Sequence, residues 1–211
     1  MVITFFLGIF AAKTVADIKN KYLKMIIDGL LTLPLVLPPT VLGFFLLYIL
    51  GIRRPVGQFL LDYFSVRIVF SWSATVIAAV VISFPLMYRS ARGAFEQIDQ
   101  NIIYAARTLG FSEWKIFWKV IFPTALPGIA SGGVLAFARG LGEFGATIMI
   151  AGNIAGRTQT LPLAVYTSVS AGDMDTSYNY VLIIVSISFL VVALMNYFTI
   201  KENKTKGKNK A

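Results

Sequence analysis

Two charged residues in an apolar part of the chain, Arg139 and Glu143, are the first candidates for chemistry. They are four residues apart, a spacing that places both side chains on one face of a helix and allows an ion pair. Ionisable side chains inside a membrane span are costly and suggest a function. Arg139 would attract an anion, and Glu143 would moderate how tightly it is held. The alternative is that both lie at the outer end of their span, at interfacial depth.

Other chemistry is excluded by composition. The chain has no cysteine and no histidine, which removes disulfides, thiolates and the commonest zinc ligands. Residues 140–145 satisfy G-x-G-x-x-G, but that pattern indicates a nucleotide site only after a strand and within a βαβ unit. No Walker A sequence occurs, so the chain is not expected to hydrolyse ATP by that route. We predict no catalytic residue, no metal site and no bound cofactor.

The elements that position these residues are predicted to be membrane helices. The chain has 211 residues and is 57% hydrophobic, with a mean hydropathy of +0.75. A membrane helix needs roughly 20 mostly apolar residues. The fold class is therefore an all-α polytopic membrane protein with about five spans. The predicted spans are 1–16, 26–50, 69–88, 124–150 and 178–200.

The basic residues predict how these spans are oriented. Most of the 19 lysines and arginines lie in the loop after the first span, in the central loop 89–123 and in the tail 201–211. By the positive-inside rule these segments are cytoplasmic. We therefore assign residues 1–200 to one transmembrane domain and 201–211 to a basic cytoplasmic tail. The net charge of +9 is thus interpreted as loop charge rather than nucleic-acid binding.

Two spans have unusual sequences. The first has only about 12 uncharged residues, too few to cross a core of about 30 Å, and we expect it to be truncated at its start. The second contains Pro34, Pro38 and Pro39, which we predict to be helix breaks facing the interior of the bundle. A small-residue stripe in the fourth span favours close helix packing, or lines a path for an anion. It consists of Gly128, Gly132, Ala136 and Gly140.

The central loop is too polar to span a membrane and too patterned to be a linker. Apolar residues recur at spacings of three and four, which predicts one face of a helix. They are Ile98, Ile102, Ala105, Ala106 and Leu109. Gly110 is a helix stop, Ser112 caps a second helix, and Trp114, Phe117, Trp118 and Ile121 form that helix's apolar face. The pattern fits a surface for a partner protein or an interfacial hairpin packed on its own bundle.

The same loop resembles the EAA motif of ATP-binding-cassette importer permeases. That motif runs Glu-Ala-Ala, three residues, Gly, nine residues, then Ile-x-Leu-Pro. This chain has Tyr104, Ala105 and Ala106, then Gly110, and then Val120 to Pro123 at the same spacing, with tyrosine in place of glutamate. Residues 33–47, 83–96 and 133–162 resemble permeases of the molybdate type, with sulfate permeases as the nearest relatives.

The resemblance implies a MetI-like permease bundle with cytoplasmic coupling helices, in the cell membrane. It implies a homodimer with two ATPase subunits, which carry ATP and Mg, and an extracytoplasmic oxyanion-binding protein. It also assigns candidate residues. ATPase coupling falls to Tyr104, Ala105, Ala106, Leu109, Gly110, Phe111, Trp114 and Pro123. The translocation path or gate is instead predicted from the charges and hydrogen-bonding groups of the residues themselves, at Arg139, Glu143, Thr147 and Asn153.

Three functions are consistent with the sequence. The first is molybdate or tungstate import driven by ATP, and the second is sulfate or thiosulfate import by the same kind of machine. The third is a standalone ion-coupled carrier or channel. That last class would need ion sites at mid-membrane, and the spans contain almost no carboxylate besides Glu143.

Overall fold

A computed structural model describes the backbone of residues 1–208 and the side chains of residues 1–193. Within that part the chain is nearly all helical and contains no strand. The helices are α1 (Val2–Ala16), α2 (Lys21–Thr32), α3 (Pro39–Leu50), α4 (Pro55–Phe64), α5 (Trp72–Glu96), α6 (Gln100–Thr108), α7 (Glu113–Ile116), α8 (Phe122–Leu141), α9 (Gly145–Ala151), α10 (Leu161–Ser170) and α11 (Met174–Lys208). The basic side chains of the predicted tail lie outside the described residues.

Several of these helices are long and apolar enough to cross a membrane. In the described part of the chain three pass this test, Trp72–Glu96, Glu113–Leu141 and Met174–Ala193. A fourth span is reached if Lys21–Leu35 and Pro39–Leu50, which are bent by 109°, count as one. The α1 helix is apolar but has only 15 residues. The predicted all-α polytopic fold is confirmed.

The predicted second span, 26–50, is not one straight helix. After α2 the chain forms a short 3₁₀ turn, Leu33–Leu35, and α3 begins only at Pro39. Pro34 lies inside the 3₁₀ turn, and Pro38 directly precedes α3. Because a proline removes one backbone donor and its ring crowds the preceding turn, three prolines in six residues end the α-helix here.

The predicted fourth span, 124–150, also differs from the structure. The α8 helix ends at Leu141 and α9 starts at Gly145. Arg139 therefore lies on α8, whereas Glu143 lies in the connection between the two helices. The prediction that both residues lie on one helix is wrong, because α8 ends at Leu141, between them.

The chain forms two compact units. The first comprises Met1–Leu42 and Ala79–Gly140, and the second comprises Gly43–Ala78 and Leu141–Ala211. The core of the first unit is built from α1, α5, the central loop and α8. Its largest fully buried side chains include Met87, Tyr88, Ile116 and Ile129.

The glycine stripe of α8 packs against α5 inside the first unit. A Cβ added at Gly132 would lie 2.4 Å from the Cβ of Ser90, and one at Gly128 would lie 2.7 Å from the Cβ of Ala94. Neither glycine can therefore gain a side chain without a shift of one helix. The stripe provides close helix packing at these two positions, because α5 covers them.

The second unit has its own small core. Ala146, Ile150 and Leu163 are fully buried. The backbone N–H of Phe70 donates to the carbonyl of Ile150 at 3.0 Å, which joins the start of α5 to the end of α9. A Cβ added at Gly43 on α3 would lie 2.8 Å from the Cα of Ala146. α3 and α9 therefore pack backbone to backbone at this glycine.

Candidate functional site

The first helix of the central loop is held to the core by one face. Ile103 and Ala106 are buried, whereas Tyr104, Ala105 and Leu109 are exposed. The predicted face included Ile102, which is instead 48% exposed. The α6 helix begins at Gln100, where the side chain of Asp99 caps it by accepting from the N–H of Asn101 at 2.9 Å, and it turns Ile103 and Ala106 toward the core. Ile98 precedes this start and does not share the helical register.

A Schellman turn ends α6 at Gly110. This residue has a φ of +75°, a conformation that carries little cost for glycine. The N–H of Gly110 donates to the carbonyl of Arg107 at 2.9 Å, and the N–H of Phe111 donates to that of Ala106 at 3.2 Å. Both bonds satisfy carbonyls left free at the helix end. Phe111 is half-buried against the core, so the turn has a fixed direction.

The second helix of the loop is the start of a much longer one. Ser112 caps α7 by accepting from the N–H of Lys115 at 3.4 Å, as its position predicts. A π-turn, Phe117–Ile121, then joins α7 to α8. Pro123 is the second residue of α8 and has no N–H to donate to the helix ladder. Pro123 lies within a continuous helical path that runs from Glu113 to Leu141.

An ion pair links the two helices across the Gly110 turn. The guanidinium of Arg107 donates to both carboxylate oxygens of Glu113, with Nε–Oε1 at 2.7 Å and Nη2–Oε2 at 3.2 Å. The hydrogen bonds with Glu113 raise the pKa of Arg107 above its already high ordinary value. The same guanidinium carbon lies 5.8 Å from the ring centre of Tyr104. Since both partners are exposed, the pair orients the turn more than it stabilises the fold.

Four exposed residues of this loop form what we call the docking face: Tyr104, Ala105, Leu109 and Trp114. Leu109 is 74% exposed and Trp114 is 73% exposed. Trp118, which was predicted to share an apolar face with Trp114, is also exposed, whereas Ile116 and Ile121 are buried. Large apolar side chains that are this exposed mark a surface that contacts something else. Of the other predicted coupling residues, Ala106 is buried and Phe111 is half-buried, whereas Gly110 and Pro123 are exposed.

The candidate path residues are divided between the two units. Arg139 is half-buried on α8 and belongs to the first unit. Glu143 is 3% exposed in the second unit, where its Oε1 accepts from the N–H of Ala146 at 2.7 Å and caps α9. Thr147 is buried in the first turn of α9. Asn153 donates to the hydroxyl of Thr167, and its own oxygen is buried with no hydrogen-bond partner in the described part of the chain.

A polar cluster in the first unit was missed at the sequence level. It consists of Lys24 and Asp28 on α2 with Tyr88, Arg92 and Glu96 on α5. Each helix contributes two opposite charges four residues apart, which is the available sequence signal. That signal does not reveal that the two pairs meet, because this depends on how α2 packs against α5.

One protein-family model, described as binding-protein-dependent transport system inner membrane component, matches residues 4–201. The chain is 45% identical over 182 residues to the putative molybdenum transport system permease protein YvgM of Bacillus subtilis, covering 86% of this chain and 78% of that protein. It is 46% identical over 172 residues to the molybdenum transport system permease protein ModB of Escherichia coli K12, covering 82% and 75%. With the ModB of Haemophilus influenzae, identity is 41% over 202 residues, covering 95% and 88%.

A solved structure has the same fold. An inward-facing form of the MetNI methionine ABC transporter matches with a TM-score of 0.67 at 17% sequence identity, covering 93% of this chain and 88% of that chain. At this identity the match concerns the fold alone. The predicted MetI-like bundle is confirmed.

Proposed function

The chain belongs to the family of binding-protein-dependent transport system inner membrane components, and from this we propose that it is the membrane subunit of an ATP-driven molybdate or tungstate importer. The molybdenum permeases with 41–46% identity support this substrate class. Two copies form the pore, and an extracytoplasmic binding protein delivers the oxyanion. Two separate ATPase subunits bind ATP and Mg, so this chain is not catalytic. The tail is cytoplasmic, on the same side as the central loop.

The docking face is the observation that carries the proposal. It presents Tyr104 and Leu109 outside the described segments that are apolar enough to span, and Trp114 in the first turn of Glu113–Leu141. Burying an exposed leucine contributes about 1.5–3 kcal/mol, so a partner that covers Leu109 gains substantial affinity. Since the chain has no Walker A sequence, a partner must supply the energy of ATP hydrolysis.

The geometry also supports a way to transmit that energy. Ile103 and Ala106 fix α6 to the core of the first unit, and Ile116 fixes α7 to the same core. When the ATPase subunits close, a push on the docking face moves these buried residues rather than a loose loop. The chain before α6 is α5 and the chain after α7 is α8, so the force reaches both helices through the backbone.

The path residues have distinct proposed roles. Arg139 attracts the oxyanion electrostatically. Thr147 and Asn153 supply neutral hydrogen-bonding groups, which hold an anion weakly enough for release. Glu143 keeps the start of α9 in place through its bond to Ala146, and its charge limits how tightly an anion is retained.

The remaining alternatives give different results in transport assays. A sulfate or thiosulfate permease would depend on ATP but prefer the other anion. A standalone carrier or channel would transport without an ATPase subunit.

Co-purification and uptake test the proposal. The detergent-solubilised protein, co-expressed with its ATPase subunit, is expected to retain that subunit and to show ATP hydrolysis stimulated by molybdate-loaded binding protein. Leu109→Asp removes an apolar contact and is expected to weaken ATPase binding by about tenfold to a hundredfold. Gln100→Asp is the matched control, because it adds the same charge at the exposed start of α6, where negative charge is tolerated.

Equal ATPase retention by Leu109→Asp and the wild type would contradict the docking role. Uptake by the wild type in vesicles without ATPase subunits would favour the carrier or channel. Uptake of sulfate in preference to molybdate would favour the sulfate class.

A further inference from the structure

The polar cluster between α2 and α5 is a connected network. Arg92 lies at its centre, since its Nε lies 3.0 Å from Glu96 Oε1 and its Nη1 contacts Asp28. Lys24 Nζ lies 2.8 Å from the same Glu96 oxygen. The Tyr88 hydroxyl donates to Asp28 Oδ1 at 3.0 Å and accepts from Arg92 Nη1 at 3.4 Å. Two cations and two anions are joined, so the network carries no net charge.

The network is partly shielded from solvent. Tyr88 is fully buried, whereas the side chains of Arg92, Lys24, Asp28 and Glu96 are 20%, 24%, 35% and 39% exposed. Partial burial reduces screening by water. The cost of breaking it is therefore larger than for an exposed surface pair.

The α2 helix has few other attachments to the first unit. None of its residues is buried, and only Ile27 and Leu31 contact the edge of the core. Lys24 adds a bond from Nζ to the carbonyl of Ala16 at the end of α1, at 3.3 Å. The network thus fixes the position of α2 against both α1 and α5.

Along the chain, the network lies next to the helices of the central loop. Glu96 is the last residue of α5, and Asp99, three residues later, caps α6. The other end of α2 continues through the proline break into α3. A displacement of the docking face therefore reaches the network through eight residues of chain, from Tyr104 back to Glu96.

We propose that Arg92 is a positioning residue that locks α2 to the end of α5 that leads into α6, so that movement of the docking face also moves α2. This inference rests on the proposed function. Without the lock, α5 moves while α2 lags behind, and ATP is hydrolysed without a complete change of the pore. The loss appears in the coupling between hydrolysis and transport rather than in ATPase binding.

The test measures molybdate transported per ATP hydrolysed by the full transporter in proteoliposomes. Arg92→Ala is expected to lower this ratio by about threefold to tenfold, the range typical of residues that carry coupling. Asp28→Ala should have a similar effect, and the double variant should be less than additive, because both substitutions remove the Arg92–Asp28 contact. Asp17→Ala is the control, since it removes an exposed pair with Lys13 on α1 and should leave the ratio unchanged.

Arg92→Lys covers the case in which Arg92→Ala does not assemble. Lysine keeps the charge but cannot present separate nitrogens to Asp28 and Glu96, so the ratio should still fall. If an assembled Arg92 variant transports as much molybdate per ATP as the wild type, the inference is overturned. This includes a variant in which hydrolysis and transport fall by the same factor. Absence of molybdate uptake by the wild type would instead overturn the proposed function.

Discussion

The contact between α5 and α8 can be tested by adding one methyl group. In Gly132→Ala the new Cβ would lie 2.4 Å from Ser90 Cβ and 3.1 Å from Ser90 Oγ. Both Cβ atoms are fixed to helix backbones, so relief requires the helices to separate. Overpacking of this kind costs about 1–3 kcal/mol, and we take the upper end because no flexible side chain can yield. Alanine regains about 1 kcal/mol of helix propensity, leaving a net loss of about 2 kcal/mol.

Thermal unfolding of the purified protein in detergent measures this loss. For a chain of this size, about 2 kcal/mol lowers the Tm by about 4–8 °C. Gly29→Ala on α2 is the matched control, because a Cβ there meets nothing within 4 Å and should leave stability unchanged or raise it. Adding Ser90→Gly to Gly132→Ala removes the clash and should restore most of the Tm. If Gly132→Ala behaved like Gly29→Ala, the close approach of α5 and α8 would be refuted.

Three further predictions concern single residues. A Cβ at Gly110 meets nothing within 4 Å, so Gly110→Val acts only through the backbone strain of a φ of +75°. In a titration it should weaken binding of the ATPase subunit by about fivefold to thirtyfold, whereas Gly110→Asn should bind almost normally. Glu143→Ala removes the acceptor for the N–H of Ala146 and should lower the free energy of unfolding by about 1–3 kcal/mol, whereas Glu143→Gln keeps that acceptor and should lose less; equal losses in the two variants would count against this cap. Hydrogen bonds from Thr176, its hydroxyl first and then its N–H, lower the pKa of Asp173, so their stabilisation is present above the ordinary carboxyl pKa and is lost as the pH falls through the lowered one; Asp173→Asn should therefore flatten the acid side of a Tm-against-pH curve, and an unchanged curve would count against this cap.

Local signals predicted the turn of the central loop well. Gly110 ends α6 and Ser112 caps α7 because both effects involve only backbone groups within a few residues. The division of apolar residues between the core and the exposed surface was predicted less well. Trp114 and Trp118 fit an apolar helical face, yet Ile116 and Ile121 occupy the core. The π-turn changes the register of this segment, and periodicity assumes a regular helix.

In the membrane helices, too, local patterns were predicted better than features that depend on packing. Hydropathy identified where the apolar segments are, but it could not reveal that two of them are interrupted. Three prolines signalled the first interruption, at residues 33–38, although not its angle of 109°. The second, between Leu141 and Gly145, has no proline, and there Glu143 accepts a bond from the N–H of Ala146. A buried acceptor of this kind is determined by packing.

The sequence by itself determined the all-α membrane class, the polar central loop with its glycine turn, and the absence of a Walker A motif. These follow from composition and from interactions between residues close in the chain. The tertiary structure decided which side chains meet across helices. Arg139 and Glu143 have the i, i+4 spacing, yet α8 ends at Leu141, between them. Arg92 and Asp28 are 64 positions apart and touch. Long-range pairing depends on how helices pack, and a spacing rule applies only within one helix.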